Sequence, residues 1–168
     1  MSGVADIRPR APADMDACVS ALWQVHEHDG YPLVWPADPA KWLNGDRQLT
    51  AWVAGQADAV SGHVAVARPR PDSAAAAAWA RNLRVRAEDL LCVTLLFVAP
   101  QARANGTGGR LLDVALADIQ ARGCAAALEV ISLNRKAIAL YQARGWRQIG
   151  SVPYDWLPPG EQSLLFVR

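Results

Sequence analysis

The sequence predicts a mixed α/β fold built around one sheet. Strand-like apolar segments alternate with helical ones along the chain, which is the order that such a sheet requires. A long apolar segment, LLCVTLLFV, also breaks at Pro100 and passes into a glycine-containing loop that opens a helix. With 168 residues, of which 52% are hydrophobic and 20% charged, the chain has room for one substantial core. We therefore expect a single domain over residues 1–168.

The front of the chain is predicted to form a strand, a helix and a loop. Asp6–Arg8 is the short strand. Asp14 is placed to cap a helix that runs to about Glu27 and carries three apolar residues on one side, Cys18, Leu22 and Val25. The proline- and tryptophan-rich segment from Gly30 to Asp46 predicts a loop with a short helix around Lys41–Leu43.

The rest of the chain continues the alternation. Thr50–Ala54 and Ala59–Ala67 are predicted to pair as a hairpin. The alanine run Ala74–Ala78, followed by Trp79, predicts a short helix because alanine has the highest helix propensity. The remaining elements are strand Leu90–Val98, helix Gly108–Arg122, strand Ala126–Val130, helix Arg135–Arg144, strand Trp146–Val152 and strand Ser163–Val167.

The loop that follows Pro100 has the layout of an anion-binding site. Glycine lets the backbone approach a ligand closely, and the first N–H groups of a helix lack intrahelical partners. With the positive end of the helix dipole and a nearby guanidinium, these donors suit a pyrophosphate. The residues concerned are Arg103, Ala104, Asn105, Gly106, Thr107, Gly108 and Gly109.

The spacing of this loop excludes two common nucleotide motifs. A Walker A loop needs a lysine that does not follow Gly108 or Gly109, and a dinucleotide fingerprint needs a glycine where Leu111 stands. The spacing present is Arg-x-x-Gly-x-Gly after the step Val98-Ala99-Pro100. This pattern resembles motif A of the GNAT superfamily of acyl-CoA-dependent N-acetyltransferases.

A second set of residues strengthens the resemblance. Leu128-Glu129-Val130 reads as a strand and is followed by Asn134, Ala137, the pair Leu140-Tyr141 and the step Gly145-Trp146. This order is similar to the GNAT motif that completes the coenzyme A site. The two motifs together cover about half of the chain.

The resemblance implies a fold, a donor and a binding mode. The fold is a mostly antiparallel central sheet with two splayed strands, flanked by helices, and the donor is acetyl-CoA. The backbones of Leu96, Phe97 and Val98 would contact the pantetheine arm, and the N–H groups from Arg103 through Gly109 would bind the pyrophosphate. Asn134 would bond toward the pantetheine arm, or cap the helix that begins after it, or do both.

Proton transfer needs an acid and a base. The resemblance assigns Tyr141 the protonation of the leaving thiolate; its other interpretation is a core aromatic residue. For the base, many GNAT enzymes place a carboxylate inside the strand before the loop, but here the middle of that strand offers only Cys92 and Thr94. The remaining candidates are Glu88, Asp89, Glu129 or water.

An aromatic-rich front segment is expected to recognise the acceptor: Trp23, His26, His28, Tyr31, Trp35 and Trp42. His26 and His28 point in nearly opposite directions on a helix and cannot share a metal, while His63 is isolated. A surface or hydrogen-bonded structural role is the favoured interpretation of each histidine.

Charge and cysteine content narrow the partners and the compartment. The net charge of +1 does not favour nucleic acid or an anionic membrane. Cys18, Cys92 and Cys124 are odd in number and far apart, which favours buried thiols over a disulfide framework or a metal site. The amino terminus has no apolar stretch typical of a signal peptide, and no apolar run approaches the ~20 residues of a membrane span. We therefore expect a cytoplasmic monomer or homodimer without a metal.

The resulting hypothesis is an enzyme that transfers acetyl from acetyl-CoA to a primary amine of a small molecule or peptide. Direct attack in a ternary complex is expected, because no cysteine lies beside an evident base. The alternatives are a non-catalytic acyl-CoA-binding sensor and an acyltransferase that uses a longer acyl chain.

Overall fold

The computed structural model describes residues 5–168, and these divide into two compact units. The strands are β1 (Ile7–Pro9), β2 (Gln48–Gln56), β3 (Ala59–Ala67), β4 (Leu90–Val98), β5 (Ala125–Ile131), β6 (Arg147–Val152) and β7 (Ser163–Val167). The helices are α1 (Met15–Asp29), α2 (Pro39–Leu43), α3 (Ala74–Leu83), α4 (Thr107–Ala121) and α5 (Arg135–Ala143). The single domain expected over residues 1–168 begins with residues that lie outside the described range.

Each predicted helix and strand is present, with ends shifted by a few residues. The strand predicted from Thr50 begins at Gln48, and the alanine-rich helix extends to Leu83. Asp14 occupies the N-cap position of α1 as predicted, but its side chain makes no capping hydrogen bond. Its carboxylate bonds instead to the Arg8 guanidinium at 2.7 and 2.8 Å and to the backbone N–H of Ala11 at 2.6 Å, so it holds the turn before the helix.

The first unit comprises residues 5–66 and 95–115. Its strands follow the order β1-β2-β3-β4, with the carboxyl-terminal part of β4 included. The apolar side of α1, whose residues recur every three to four positions, is buried as predicted. Burial of such an apolar stripe is what stabilises a helix of this length. The core consists of Cys18, Ala21, Leu22, Val25, Leu43, Val53, Val60, Phe97 and Ala99.

Gly62 of β3 lets α4 begin close to the strands of this unit. A Cβ built on Gly62 would lie 2.9 Å from Cδ1 of Leu111 and 3.2 Å from the carbonyl oxygen of Phe97. It would also lie 3.5 Å from Cγ2 of Thr107, the first residue of α4. The first turns of α4 therefore occupy the space that a side chain at position 62 would need. This packing fixes the position of the preceding loop.

The second unit comprises residues 67–94 and 116–168. The amino-terminal part of β4 pairs in parallel with β5, in register from Leu90 to Val93, and β5, β7 and β6 follow as antiparallel neighbours. Trp79 of α3 is buried against this sheet, as expected for an anchor. In neither unit does a described helix combine the length and apolar character needed to cross a membrane.

Candidate functional site

The loop between β4 and α4 contains two residues with a left-handed backbone. Ala104 has φ of 69° and Gly106 has φ of 78°, whereas Asn105 between them does not have positive φ. Left-handed residues occur in the concave backbone turns whose N–H groups bind anions. A Cβ on Gly106 would meet nothing within 4 Å, so the space beside this residue is open.

The start of α4 adds further donors. Arg110 N–H donates to the Gly106 carbonyl at 3.1 Å, which places the first turn of the helix at Thr107. The amide oxygen of Asn105 accepts from Thr107 N–H at 3.2 Å and from its hydroxyl at 2.5 Å. The N–H groups of Gly108 and Gly109 fall in the first turn, where helix geometry provides no backbone acceptor.

The side chain of Arg103 holds the loop against α1. Its Nε donates to the Val98 carbonyl at 3.0 Å, and its Nη2 forms a salt bridge with Asp29, the last residue of α1. Chiefly through this hydrogen bond, Arg103 lowers the pKa of Asp29 to about 2. A second tie joins the Gln101 amide to Gln24 of the same helix at 2.6 Å. The guanidinium is therefore engaged in positioning the loop.

The end of β4 presents its backbone groups alternately to its two edges. Ala99 N–H donates to the Ser61 carbonyl at 2.8 Å, and the Phe97 carbonyl faces Gly62, so these residues face β3. Leu96 and Val98 consequently face the opposite edge of the strand. Of the three residues expected to contact pantetheine, Leu96 and Val98 have their backbone at that edge, where the Val98 carbonyl already accepts from Arg103. The Phe97 side chain packs into the core.

His63 is fully buried in the first unit, on β3. Its Nδ1 lies 2.9 Å from the carbonyl oxygen of Leu95, and its Nε2 lies 2.9 Å from Nη1 of Arg10. Burial lowers the pKa of His63 to about 4, so the ring is neutral at pH 7. The hydrogen-bonded structural role expected for this histidine is confirmed, but its partners are 53 and 32 residues away and carry no local sequence signal.

Two of the expected site residues, Asn134 and Tyr141, belong to the second unit. The side-chain oxygen of Asn134 accepts from Ala137 N–H at 3.3 Å, so it caps α5. Tyr141 is 7% exposed, and its ring centroid lies 6.4 Å from that of Trp146 and 6.1 Å from that of Phe166. Both packing and a chemical role are compatible with this placement.

The candidate bases, also in the second unit, differ in their partners. Arg86 contacts Glu88 at 2.5 Å and Asp89 at 2.9 Å, and its hydrogen bond lowers the pKa of Asp89. Glu129 of β5 is exposed while Leu128 and Val130 are buried, as alternation along a strand requires. The Tyr154 hydroxyl forms a hydrogen bond with Glu129, and burial together with this bond raises the pKa of Tyr154 to about 12.

The two buried thiols are poor nucleophiles. Burial raises the pKa of Cys18 to about 11 and that of Cys92 to about 12, so neither is a thiolate at neutral pH. Cys124 is partly exposed. Across residues 5–168, no group of three or more histidine, cysteine, aspartate or glutamate side chains is arranged to hold a metal ion.

Three rings of the aromatic-rich front segment form a cluster. The centroids of Trp23 and Trp35 are 4.8 Å apart, and His26 lies 5.6 Å from Trp23 and 5.3 Å from Trp35. Trp23 is 43% exposed, and Val34 beside the cluster is 80% exposed. The segment thus presents apolar surface to solvent, which suits recognition of an acceptor.

Solved structures share this fold along the whole chain. The crystal structure of NAA60 from Arabidopsis thaliana in complex with acetyl-CoA has a TM-score of 0.71 and 22% identity, covering 97% of each chain. The structure of the same protein in complex with a bisubstrate analogue has a TM-score of 0.72 and 23% identity, covering 97% of this chain and 96% of that one. The structure of the ribosomal-protein-alanine N-acetyltransferase of Brucella melitensis has a TM-score of 0.71 and 19% identity, covering 97% of this chain and 98% of that one.

These likenesses confirm the expected fold class, a mixed α/β fold with a mostly antiparallel seven-stranded sheet and flanking helices. Among curated protein sequences none matches the chain. The profile of the acetyltransferase (GNAT) family matches residues 15–146 and includes both motifs that carried the resemblance. The chain therefore belongs to the GNAT family of acetyltransferases.

Proposed function

We propose that this protein transfers the acetyl group of acetyl-CoA to a primary amine of a small molecule or peptide, by direct attack in a ternary complex. The observation that carries the proposal is the loop in the first unit, where positive φ at Ala104 and Gly106 precedes the first turn of a fifteen-residue helix. Within the run from Arg103 through Gly109, Arg103 N–H donates to the Pro100 carbonyl and Thr107 N–H to the Asn105 side chain. The other N–H groups of the run would bind the pyrophosphate of the donor. The backbone of Leu96 and the N–H group of Val98 would bond to its pantetheine arm.

Glu129 is the base that the side-chain contacts favour. A base must have a lone pair available at the pH of the reaction, and Arg86 already holds both Glu88 and Asp89. Glu129 is exposed and accepts a hydrogen bond from Tyr154, and the two oxygens of a carboxyl group can accept more than one such bond. In this proposal Glu129 takes the proton that the amine loses as it attacks the thioester carbonyl.

Tyr141 would supply the second proton. When the tetrahedral intermediate collapses, the C–S bond breaks and the sulfur leaves as a thiolate. The Tyr141 hydroxyl protonates it, and the resulting phenolate is reprotonated from solvent before the next turnover. Because an ordinary thiol has a pKa of ~8.5, protonation accelerates this step without being obligatory.

The acceptor class is supported by two features. The exposed apolar surface at Trp23 and Val34 suits side chains of a peptide more than a small polar amine. In addition, one similar structure is a ribosomal-protein-alanine N-acetyltransferase by its name. We therefore place peptides with a free amino terminus first among the candidate acceptors.

The test is release of free CoA, measured by a thiol reagent, with a panel of peptides, small amines and aminoglycosides. Each peptide is paired with the same peptide carrying a blocked amino terminus. We expect thiol release with free peptides and none with blocked ones. Binding of acetyl-CoA without turnover on any amine would contradict the proposal and favour the sensor, and faster turnover of a longer acyl-CoA would favour the other acyltransferase.

A further inference from the structure

A partly buried chain of hydrogen bonds in the first unit ends at Leu95 of β4. Leu95 has φ of 52°, a left-handed conformation that is uncommon for a leucine, and it lies within β4 just before Leu96–Val98. A carbonyl displaced from its ladder position needs another partner, since a buried backbone group without one is costly. That partner is the ring of His63, at 2.9 Å.

The contacts of His63 determine which ring nitrogen carries the proton. Arg10 has only N–H donors, so the Nε2 that faces it at 2.9 Å must accept, and the neutral ring then carries its hydrogen on Nδ1. Nδ1–H therefore donates to the Leu95 carbonyl. The ring also stacks on Phe97, with centroids 5.3 Å apart and planes 14° from parallel.

Arg10 is held by neutral acceptors. Its Nη1 donates to the Leu43 carbonyl at 3.0 Å as well as to His63, and its Nη2 donates to the Asn44 side chain. With the Gln48 amide oriented to satisfy both of its groups, its oxygen also accepts from Nη2, at 3.0 Å. The guanidinium is thereby fixed in place, and it fixes the ring that holds Leu95.

We propose that Arg10 and His63 are positioning residues for the donor, which hold the Leu95 carbonyl so that the backbone of Leu96 and Val98 is set to receive the pantetheine arm. This inference rests on the proposed function. The relay, by which we mean the hydrogen bonds from Arg10 through His63 to the Leu95 carbonyl, positions the pantetheine part of CoA along β4. It does not act on the pyrophosphate, which the loop from Arg103 to Gly109 would bind. Its loss should therefore weaken acetyl-CoA and spare the nucleotide half of CoA, which has no pantetheine arm.

The experiment compares calorimetric affinities of acetyl-CoA and of phospho-ADP, the nucleotide half of CoA, for four variants. His63→Phe keeps the stacked ring and removes both hydrogen bonds, so acetyl-CoA affinity should fall about tenfold while phospho-ADP affinity stays within twofold. His63→Asn places an amide N–H where Nδ1 stood and should restore most of the loss, whereas the longer His63→Gln should not. Ser61→Ala is the matched control. Ser61 lies on the same strand as His63, and its hydroxyl donates to the Ala54 carbonyl at 3.2 Å, so the substitution also removes one bond from a side chain to a carbonyl.

The outcomes separate this inference from the proposed function. If the unmodified protein binds neither ligand, the donor site and this inference both fail. If it binds both, and His63→Phe binds acetyl-CoA as tightly or loses the two ligands in parallel, only the positioning role is overturned. Should His63→Phe not fold, equal acetyl-CoA affinities of His63→Asn and His63→Gln would overturn it.

Discussion

At the scale of single residues, charge partners separate the candidate bases. The sequence leaves Glu88, Asp89 and Glu129 as candidates, the first two at the start of the strand before the loop and the third within another predicted strand. The structure distinguishes them, since Arg86 binds the first two while Glu129 is approached by a phenol. Such pairing depends on side-chain direction after folding, which residue order does not specify.

Glu129→Gln keeps the shape of the side chain and removes its basicity. If Glu129 takes the amine proton, kcat/KM should fall roughly 10²-fold and the acidic limb of its pH profile should disappear. Glu88→Gln and Asp89→Asn are matched controls and should leave that limb in place. A limb that survives in Glu129→Gln and vanishes in a control would transfer the role to the control residue, and small losses in all three would favour water.

Tyr141→Phe deletes a hydroxyl and keeps the ring that packs near Trp146 and Phe166. If the hydroxyl protonates the leaving thiolate, kcat should fall by roughly 10² or somewhat less, with acetyl-CoA affinity nearly unchanged. Single-turnover rates measure the chemical step directly. A variant with the rate of the unmodified enzyme would leave Tyr141 a packing residue.

At the scale of elements, the loop is positioned by ties to its neighbours as much as by its own glycines. The glycine spacing and the basic residue predict an anion site, and the helix after it begins one residue before its predicted start. The salt bridge that joins Arg103 to Asp29 was not predictable, because the partners are 74 residues apart. The role of Gly62 was likewise not predictable from the sequence. The position of α4 depends on this glycine, because a side chain there would collide with the helix.

The salt bridge between Arg103 and Asp29 should make stability depend on acid. The folded pKa of Asp29, about 2, lies below the unfolded value of ~3.9, so the bridge contributes fully above about pH 4 and is lost as the pH falls toward 2. Asp29→Asn should lower the free energy of unfolding by about 1 kcal/mol or less at pH 7, since both side chains are partly exposed. Denaturant titrations should show this difference shrinking between pH 4 and 2, and a constant difference would contradict the assignment.

At the scale of the whole molecule, the fold was largely predictable and the contacts within it were not. Strands and helices followed from periodicity, from the alanine run and from turn residues, all of which are local signals. The relay from Arg10 through His63 to Leu95 joins residues far apart in sequence and includes a leucine with positive φ, which no local preference would suggest. Positions of this kind depend on tertiary packing.

The buried thiols lead to a kinetic prediction for the whole enzyme. Because Cys18 and Cys92 are buried with raised pKa values, neither is suited to carry an acetyl group, and the two substrates should react in one complex. Initial rates at several concentrations of both substrates should give intersecting double-reciprocal lines. Parallel lines would indicate an acyl-enzyme, and loss of turnover in Cys124→Ser would then identify the remaining thiol as its carrier.

The central claim is that the loop before α4 binds the pyrophosphate of acetyl-CoA, and the most direct measurement is calorimetry of acetyl-CoA with Gly108→Glu. The added side chain brings bulk and negative charge to the first turn of α4, where the anion is expected, so binding should become undetectable. Gly150→Glu is the matched control, because a Cβ there meets nothing within 4 Å in β6, and it should keep the original affinity. A folded Gly108→Glu protein that binds acetyl-CoA as tightly as the unmodified one would contradict the claim.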